Sequence, residues 1–120
     1  MAEKPLFGNS QVSKTALTAE TVYAENGVVS RTLLATAATR VVLFAFAEGQ
    51  SLSEHSTPRA ALVQIVTGSC EFAVNDTLHQ LTAGDLLYMP PGAPHSVRAS
   101  ERFSMLLTLS KDEPSAKSTK

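Results

Sequence analysis

Apolar residues fall in short runs along this chain, cut by glycine, proline and Asn/Asp turn pairs, and nowhere recur in a persuasive helical stripe. Val28–Ala35, rich in β-branched residues and leucine, follows the turn pair Asn26-Gly27. Arg40–Ala47 is a continuous apolar run stopped by Glu48-Gly49. Ala61–Thr67 ends at Gly68, and Cys70–Val74 ends at Asn75-Asp76. Leu78–Leu81 leads to Gly84-Asp85, and Leu86–Met89 runs into Pro90-Pro91-Gly92-Ala93-Pro94, a stretch that forces a rigid loop. Ser96–Ala99 and Phe103–Leu109 complete the series. Alanine content suggests helix only over Leu33–Arg40, where Thr36, Thr39 and the flanking β-branched runs favour strand–turn–strand. About eight short strands at this spacing predict an all-β chain, an antiparallel sandwich or small barrel.

Composition narrows the organisation and the chemistry. At 120 residues and 43% apolar content, one domain is expected, with a core that needs no disulfides. The body spans residues 21–110. Residues 1–20 form an arm whose Leu6, Phe7, Val12 and Leu17 are suited to dock on the body or on a partner subunit. Residues 111–120 read as a flexible polar tail. A net charge of −1 supplies no basic footprint, so neither nucleic acid nor an anionic membrane is expected as a partner. No stretch approaches the ~20 apolar residues of a spanning helix, and a cytoplasmic protein is expected. The single cysteine, Cys70, excludes an internal disulfide and any CxxC site. Metal chemistry would therefore rest on His55, His79 and His95, helped by carboxylates or amides.

Candidate chemistry concentrates in Gly84–His95, GDLLYMPPGAPH. Gly84, Asp85, Pro90, Gly92 and His95 stand at the spacing G-D-x4-P-x-G-x2-H. Gly84 permits a tight turn, Pro90 and Gly92 stiffen the following corner, and His95 opens the next strand. Upstream, Gly49, His55 and Gly68 bracket GQSLSEHSTPRAALVQIVTG.

These two segments resemble the paired motifs of the cupin family, the second intact and the first reduced. Over residues 30 to 109 the chain is similar to a small single-domain cupin of the RmlC-like kind, which implies an antiparallel jelly-roll β-barrel. The resemblance implies a pocket in the barrel where His55 and His95 stand at two of the family's metal-ligand positions. Thr57 stands where the family has its second histidine, and Ala61 where it has its glutamate. Gln64 is a candidate third ligand, although strand alternation from Ala61 turns it outward unless a bulge near Pro58 reverses the phase. Glu54 is a candidate acceptor behind His55. Thr57, Ala61, Val63 and Phe72 are expected to line the substrate pocket.

The implied cofactor is a divalent transition metal (Fe, Mn, Ni or Zn), and the implied partners are a small-molecule ligand and a second copy of the chain. A metal-dependent oxygenase, isomerase or decarboxylase is one functional expectation; a metal-free binding or sensor module is the other. His79 and Cys70 are expected to be bystanders, and Arg59 and Arg98 to be solvated, with Arg59, in the entry loop, the alternative contact for an anionic substrate at the barrel mouth. Asp85 is expected to cap its turn.

Overall fold

The structure is a computed structural model and describes residues 4–111. Residues 112–120, most of the expected polar tail, lie outside the described residues, as do residues 1–3. A one-turn helix α1 (Leu17–Glu20) precedes nine strands: β1 (Val28–Ala35), β2 (Thr39–Phe46), β3 (Ser51–His55), β4 (Ala60–Thr67), β5 (Ser69–Val74), β6 (Thr77–Thr82), β7 (Leu86–Met89), β8 (His95–Arg98) and β9 (Phe103–Ser110). Eight of these fall on the runs expected from the sequence. The ninth, β3, is Ser-Leu-Ser-Glu-His, with one apolar residue, and carries no apolar or β-branched signal of its own.

The strands form two antiparallel sheets, one in the order β1-β2-β9-β4-β7 and the other in the order β3-β8-β5-β6. The chain passes between the sheets at β2–β3, β3–β4, β4–β5, β6–β7, β7–β8 and β8–β9, which is jelly-roll winding. The sheets face each other without hydrogen-bonding into one closed ring. Their facing sides supply the core: Ala61, Val63 and Ile65 of β4, Cys70, Phe72 and Val74 of β5, Val97 of β8 and Met105 of β9 are all buried.

One end of the sandwich is packed with aromatic rings. Phe46 and Phe103 are opposite one another on β2 and β9, fully buried, with ring centroids 4.6 Å apart and planes 19° apart. At the other end the facing positions are smaller: Ala61 lies beside Leu109 on one neighbour and Met89 on the other. This second end, where β3 stops and β8 starts, is the mouth of the sandwich.

The outer side of the larger sheet is covered in part by the N-terminal segment. Backbone N–H groups of Leu6 and Phe7 donate to the carbonyls of Thr32 and Leu33 at the β1 edge. Phe7 and Leu17 share a groove with Leu33, Leu34, Val41 and Leu106. Glu20 of α1 lies 3.3 Å from the Arg31 guanidinium. Tyr23 shares a hydrogen bond with the Thr67 hydroxyl at 2.9 Å, and Thr67 shares one with the buried Ser104 at 2.7 Å. No helix among the described residues is long and apolar enough to cross a membrane.

Candidate functional site: a histidine pair at the mouth of the sandwich

His95 is the first residue of β8, delivered there by the Pro90–Pro94 loop. That loop is held at three points. Gly92 N–H donates to the Thr57 carbonyl at 2.8 Å, Ala93 N–H to the Pro90 carbonyl at 3.3 Å, and Asn75 N–H to the Pro94 carbonyl at 3.0 Å. Gly92 has φ +85°, a left-handed conformation that favours glycine. The preceding turn is closed by Asp85, whose carboxylate accepts from the Thr82 N–H at 2.8 Å, the capping role expected of it.

His55, the last residue of β3, lies directly opposite His95. Between them and the next pair, Leu52 with Val97, β3 advances three residues while β8 advances two. The extra residue is a bulge, and it reverses the phase of β3 so that His55 shares the inner face with Leu52. Without it, strict alternation would turn the imidazole outward. The two rings sit 4.3 Å apart, tilted by 59°. Phe72 backs the pair, its ring 6.1 Å from His95 and nearly parallel to it at 21°.

Both imidazoles are oriented in the same way. The His55 Nδ1–H donates to the Ser53 carbonyl at 2.8 Å, and the His95 Nδ1–H donates to the Ala93 carbonyl at 2.9 Å. A carbonyl accepts only, so each Nδ1 must carry the proton and each neutral ring keeps its lone pair on Nε2. His95 is buried while His55 is exposed, which places the pair at the boundary of core and solvent. The acceptor behind His55 is a backbone carbonyl and not Glu54.

The other expected site residues divide. Ala61 and Val63 are buried on the inner face of β4, and Phe72 is buried on β5. Thr57 stands in the β3–β4 connection, its carbonyl bound to the Gly92 N–H and its hydroxyl accepting from Arg59 N–H at 3.2 Å. Gln64 is corrected. β4 keeps its alternation from Ala61 to Ile65, and its register with β7 and β9 is unbroken through Gln64. The side chain is therefore exposed on the outer face, away from the histidines, and is no ligand.

Cys70 is buried on β5, where burial, then the charges of Asp85 and Glu71, push its thiol up to about 12 from an ordinary 9.0. It is a neutral packing group at physiological pH. Arg98 is exposed, 3.8 Å from Glu71.

Two inward residues escaped the sequence reading. His79 pairs with the buried Phe72 across β5 and β6, so it shares the inner face and is half-buried. Its neighbour Leu81, two residues on and buried, was the available signal. Arg40 pairs with Leu109, which pairs in turn with Ala61, so it too belongs to the inner face. Counting back by twos from Phe46 through Phe44 and Val42 reaches it.

His55 and His95 offer two nitrogen donors, but the positions beside them are Thr57 and the apolar Ala61. Among the described residues no three His, Cys, Asp or Glu side chains are grouped to hold an ion. Resident zinc takes three or four protein ligands, and the described residues supply two here.

Residues 39–108 match the family model of the AraC-like ligand binding domain. Among solved structures, the chain is similar to a cupin superfamily protein of Desulfitobacterium hafniense at 28% identity and a TM-score of 0.80, over 91% of this chain and 100% of that one. It is equally similar in shape, at 0.80, to a conserved protein of Streptococcus pyogenes, with 29% identity over 94% of this chain and 99% of that one. An RmlC-like cupin of Shewanella frigidimarina shares the fold at 19% identity and a TM-score of 0.69, over 99% and 97% of the two chains. No curated protein matches the chain. With more than half its length inside that family model and its jelly roll shared with these structures, the chain is a small cupin domain and belongs to the AraC-like ligand-binding family.

Proposed function

We propose that the protein binds a small molecule at the mouth between its two sheets, with the His55/His95 pair as the polar anchor and Ala61, Val63 and Phe72 as the apolar wall. The observation that carries this reading is the shared orientation of the two imidazoles. Each Nδ1 is occupied by a backbone carbonyl, and each Nε2 is left to accept a hydrogen bond from a ligand. Apolar walls with a few fixed polar groups are the usual make-up of a small-molecule site.

The same tethering favours a second reading. Nδ1 held by a carbonyl is also how metal-bound histidines are oriented, so an ion could be shared between the pair and donors that the ligand itself brings. Metal analysis of protein purified without an affinity tag separates the two readings. The metal-free reading expects less than about a tenth of an equivalent, and no uptake of Fe, Mn, Ni or Zn. Stoichiometric metal that disappears in both His55→Ala and His95→Ala would overturn it in favour of the second.

Pairing of two copies and cytoplasmic residence belong to the same proposal. Leu62 and Tyr88 are opposite one another on β4 and β7, and with Leu86 they leave three exposed apolar side chains on the outer face next to a sheet edge. Sedimentation at micromolar concentration is expected to give a dimer that Leu62→Glu dissociates. A wild-type monomer would contradict it.

A further inference from the structure

The third polar element at the mouth is Arg40, a cation with no ion pair among the described residues. Arg40 lies in a row that crosses the larger sheet through Leu109, Ala61 and Met89. Directly opposite residues share a face, and Ala61 and Met89 are core residues, so the row is the innermost rim of the mouth. The guanidinium is steadied by one hydrogen bond, from Nη2 to the Thr32 hydroxyl at 3.1 Å, and Thr32 is itself buried. Yet Arg40 remains exposed, and the ion pairs among the described residues are Arg31–Glu20 and Arg98–Glu71. Arg40 thus has an accessible positive charge, steadied at Thr32, and no ion pair among the described residues.

Topology brings that charge toward the histidines. β2 and β3 are joined by residues 47–50 and lie in opposite sheets, so both run from one turn toward the mouth. Arg40 stands six residues from the β2 end and His55 four residues from the β3 start. At ~3.3 Å per residue these are heights of roughly 20 Å and 13 Å on sheets ~10 Å apart. The guanidinium, held at Thr32 of β1, and the imidazoles of β3 and β8 therefore stand at the same end of the sandwich, on facing sheets.

We infer that the ligand of this pocket is a small carboxylate, its anionic group held by the Arg40 guanidinium and its remaining polar atoms facing His55 and His95. A planar guanidinium matches a carboxylate in two parallel hydrogen bonds and loses little of its hydration in doing so. Of the other arginines, Arg98 is on the outer face beside Glu71 and does not compete; Arg59, in the β3–β4 connection at the same end of the sandwich, is the alternative cation, and Arg59→Gln is the variant that distinguishes it from Arg40. This inference rests on the reading of the histidine pair as a ligand site, and adds to it the charge of the ligand.

The test uses glycolate as probe and glycolamide as its uncharged counterpart, with metal-free protein and binding followed by NMR titration. Both carry a hydroxyl that donates to an imidazole Nε2, and only glycolate carries the anion. Glycolate is expected to bind the wild type and glycolamide to bind at least about tenfold more weakly. Arg40→Gln should weaken glycolate by about tenfold or more while leaving glycolamide unchanged, and Arg40→Lys should recover part of the loss. Arg98→Gln and Arg59→Gln should match the wild type. Absence of glycolate binding, equal binding of the two probes, or an Arg40→Gln variant that binds glycolate normally would each overturn the inference. Unchanged backbone spectra of Arg40→Gln and Arg40→Lys identify the loss as one of binding. If His95→Ala leaves glycolate binding intact and Arg40→Gln abolishes it, the anion site stands and the histidine-anchor reading falls. If Arg40→Gln changes nothing while probes still perturb the histidines, only the carboxylate assignment falls.

Discussion

Replacing Gly68 with alanine is expected to cost roughly 3 kcal/mol or more of folding stability, a large share of the few kcal/mol that hold a domain of this size. Two causes act at this one position. Its φ is +77°, a left-handed backbone conformation that an alanine adopts only with strain. A Cβ there would also collide with the Arg102 carbonyl oxygen and come within 2.7 Å of the Phe103 Cβ. Neither neighbour is the loose end of a side chain. Arg102 contributes backbone, and Phe103 is the fully buried ring stacked on Phe46. Gly68 is also where the chain leaves β4 in one sheet for β5 in the other, so a displaced Gly68 separates the sheets at their packed end. Gly49 supplies the comparison, having φ +85° and open space around its would-be Cβ. Gly49→Ala should cost only about 1 kcal/mol, the strain without the collision. Urea denaturation of both variants measures the difference, and equal losses would show that the close approach at Gly68 is absent.

Gly68 was visible in the sequence as a spacing, together with Gly49, His55, Gly84, Pro90, Gly92 and His95. Those residues are legible because each answers a local demand: a turn, a stiff corner, or the first position of a strand. The apolar runs were legible for a similar reason, since burial of one face imposes alternation on β4 and β5. What could not be read was set by pairing across strands. β3 is held as a strand by its neighbour β8, and its polar sequence gives no independent sign of it. The bulge that turns His55 inward is a property of the β3–β8 register and leaves no mark in Ser-Leu-Ser-Glu-His. Arg40 was hidden differently, as the polar start of an apolar run whose inward face becomes plain only through its row with Leu109 and Ala61. Gln64 shows the reverse: the alternation that argued against it held, and no bulge rescued it.

The second large effect concerns His95 and the pocket itself. His95 is buried, tethered through Nδ1 to Ala93, stacked against Phe72 and set beside His55. His95→Ala should therefore weaken any ligand of this pocket by about tenfold to a hundredfold, a loss of one hydrogen bond in a partly dehydrated site. Competing sites exist on the outside of the molecule. One is the groove between the N-terminal arm and the larger sheet, lined by Phe7, Leu17 and Leu106. Another lies where Arg102 stacks over Tyr23 at 4.4 Å. The most direct discrimination is a residue-resolved NMR titration with a set of small carboxylates, amides and heteroaromatic compounds. The expected result is a cluster of perturbed resonances at His55, His95, Phe72, Ala61 and Val63 that vanishes in His95→Ala. Perturbations confined to the arm groove or the Tyr23–Arg102 groove, or a mouth that responds to none of the compounds, would contradict the account.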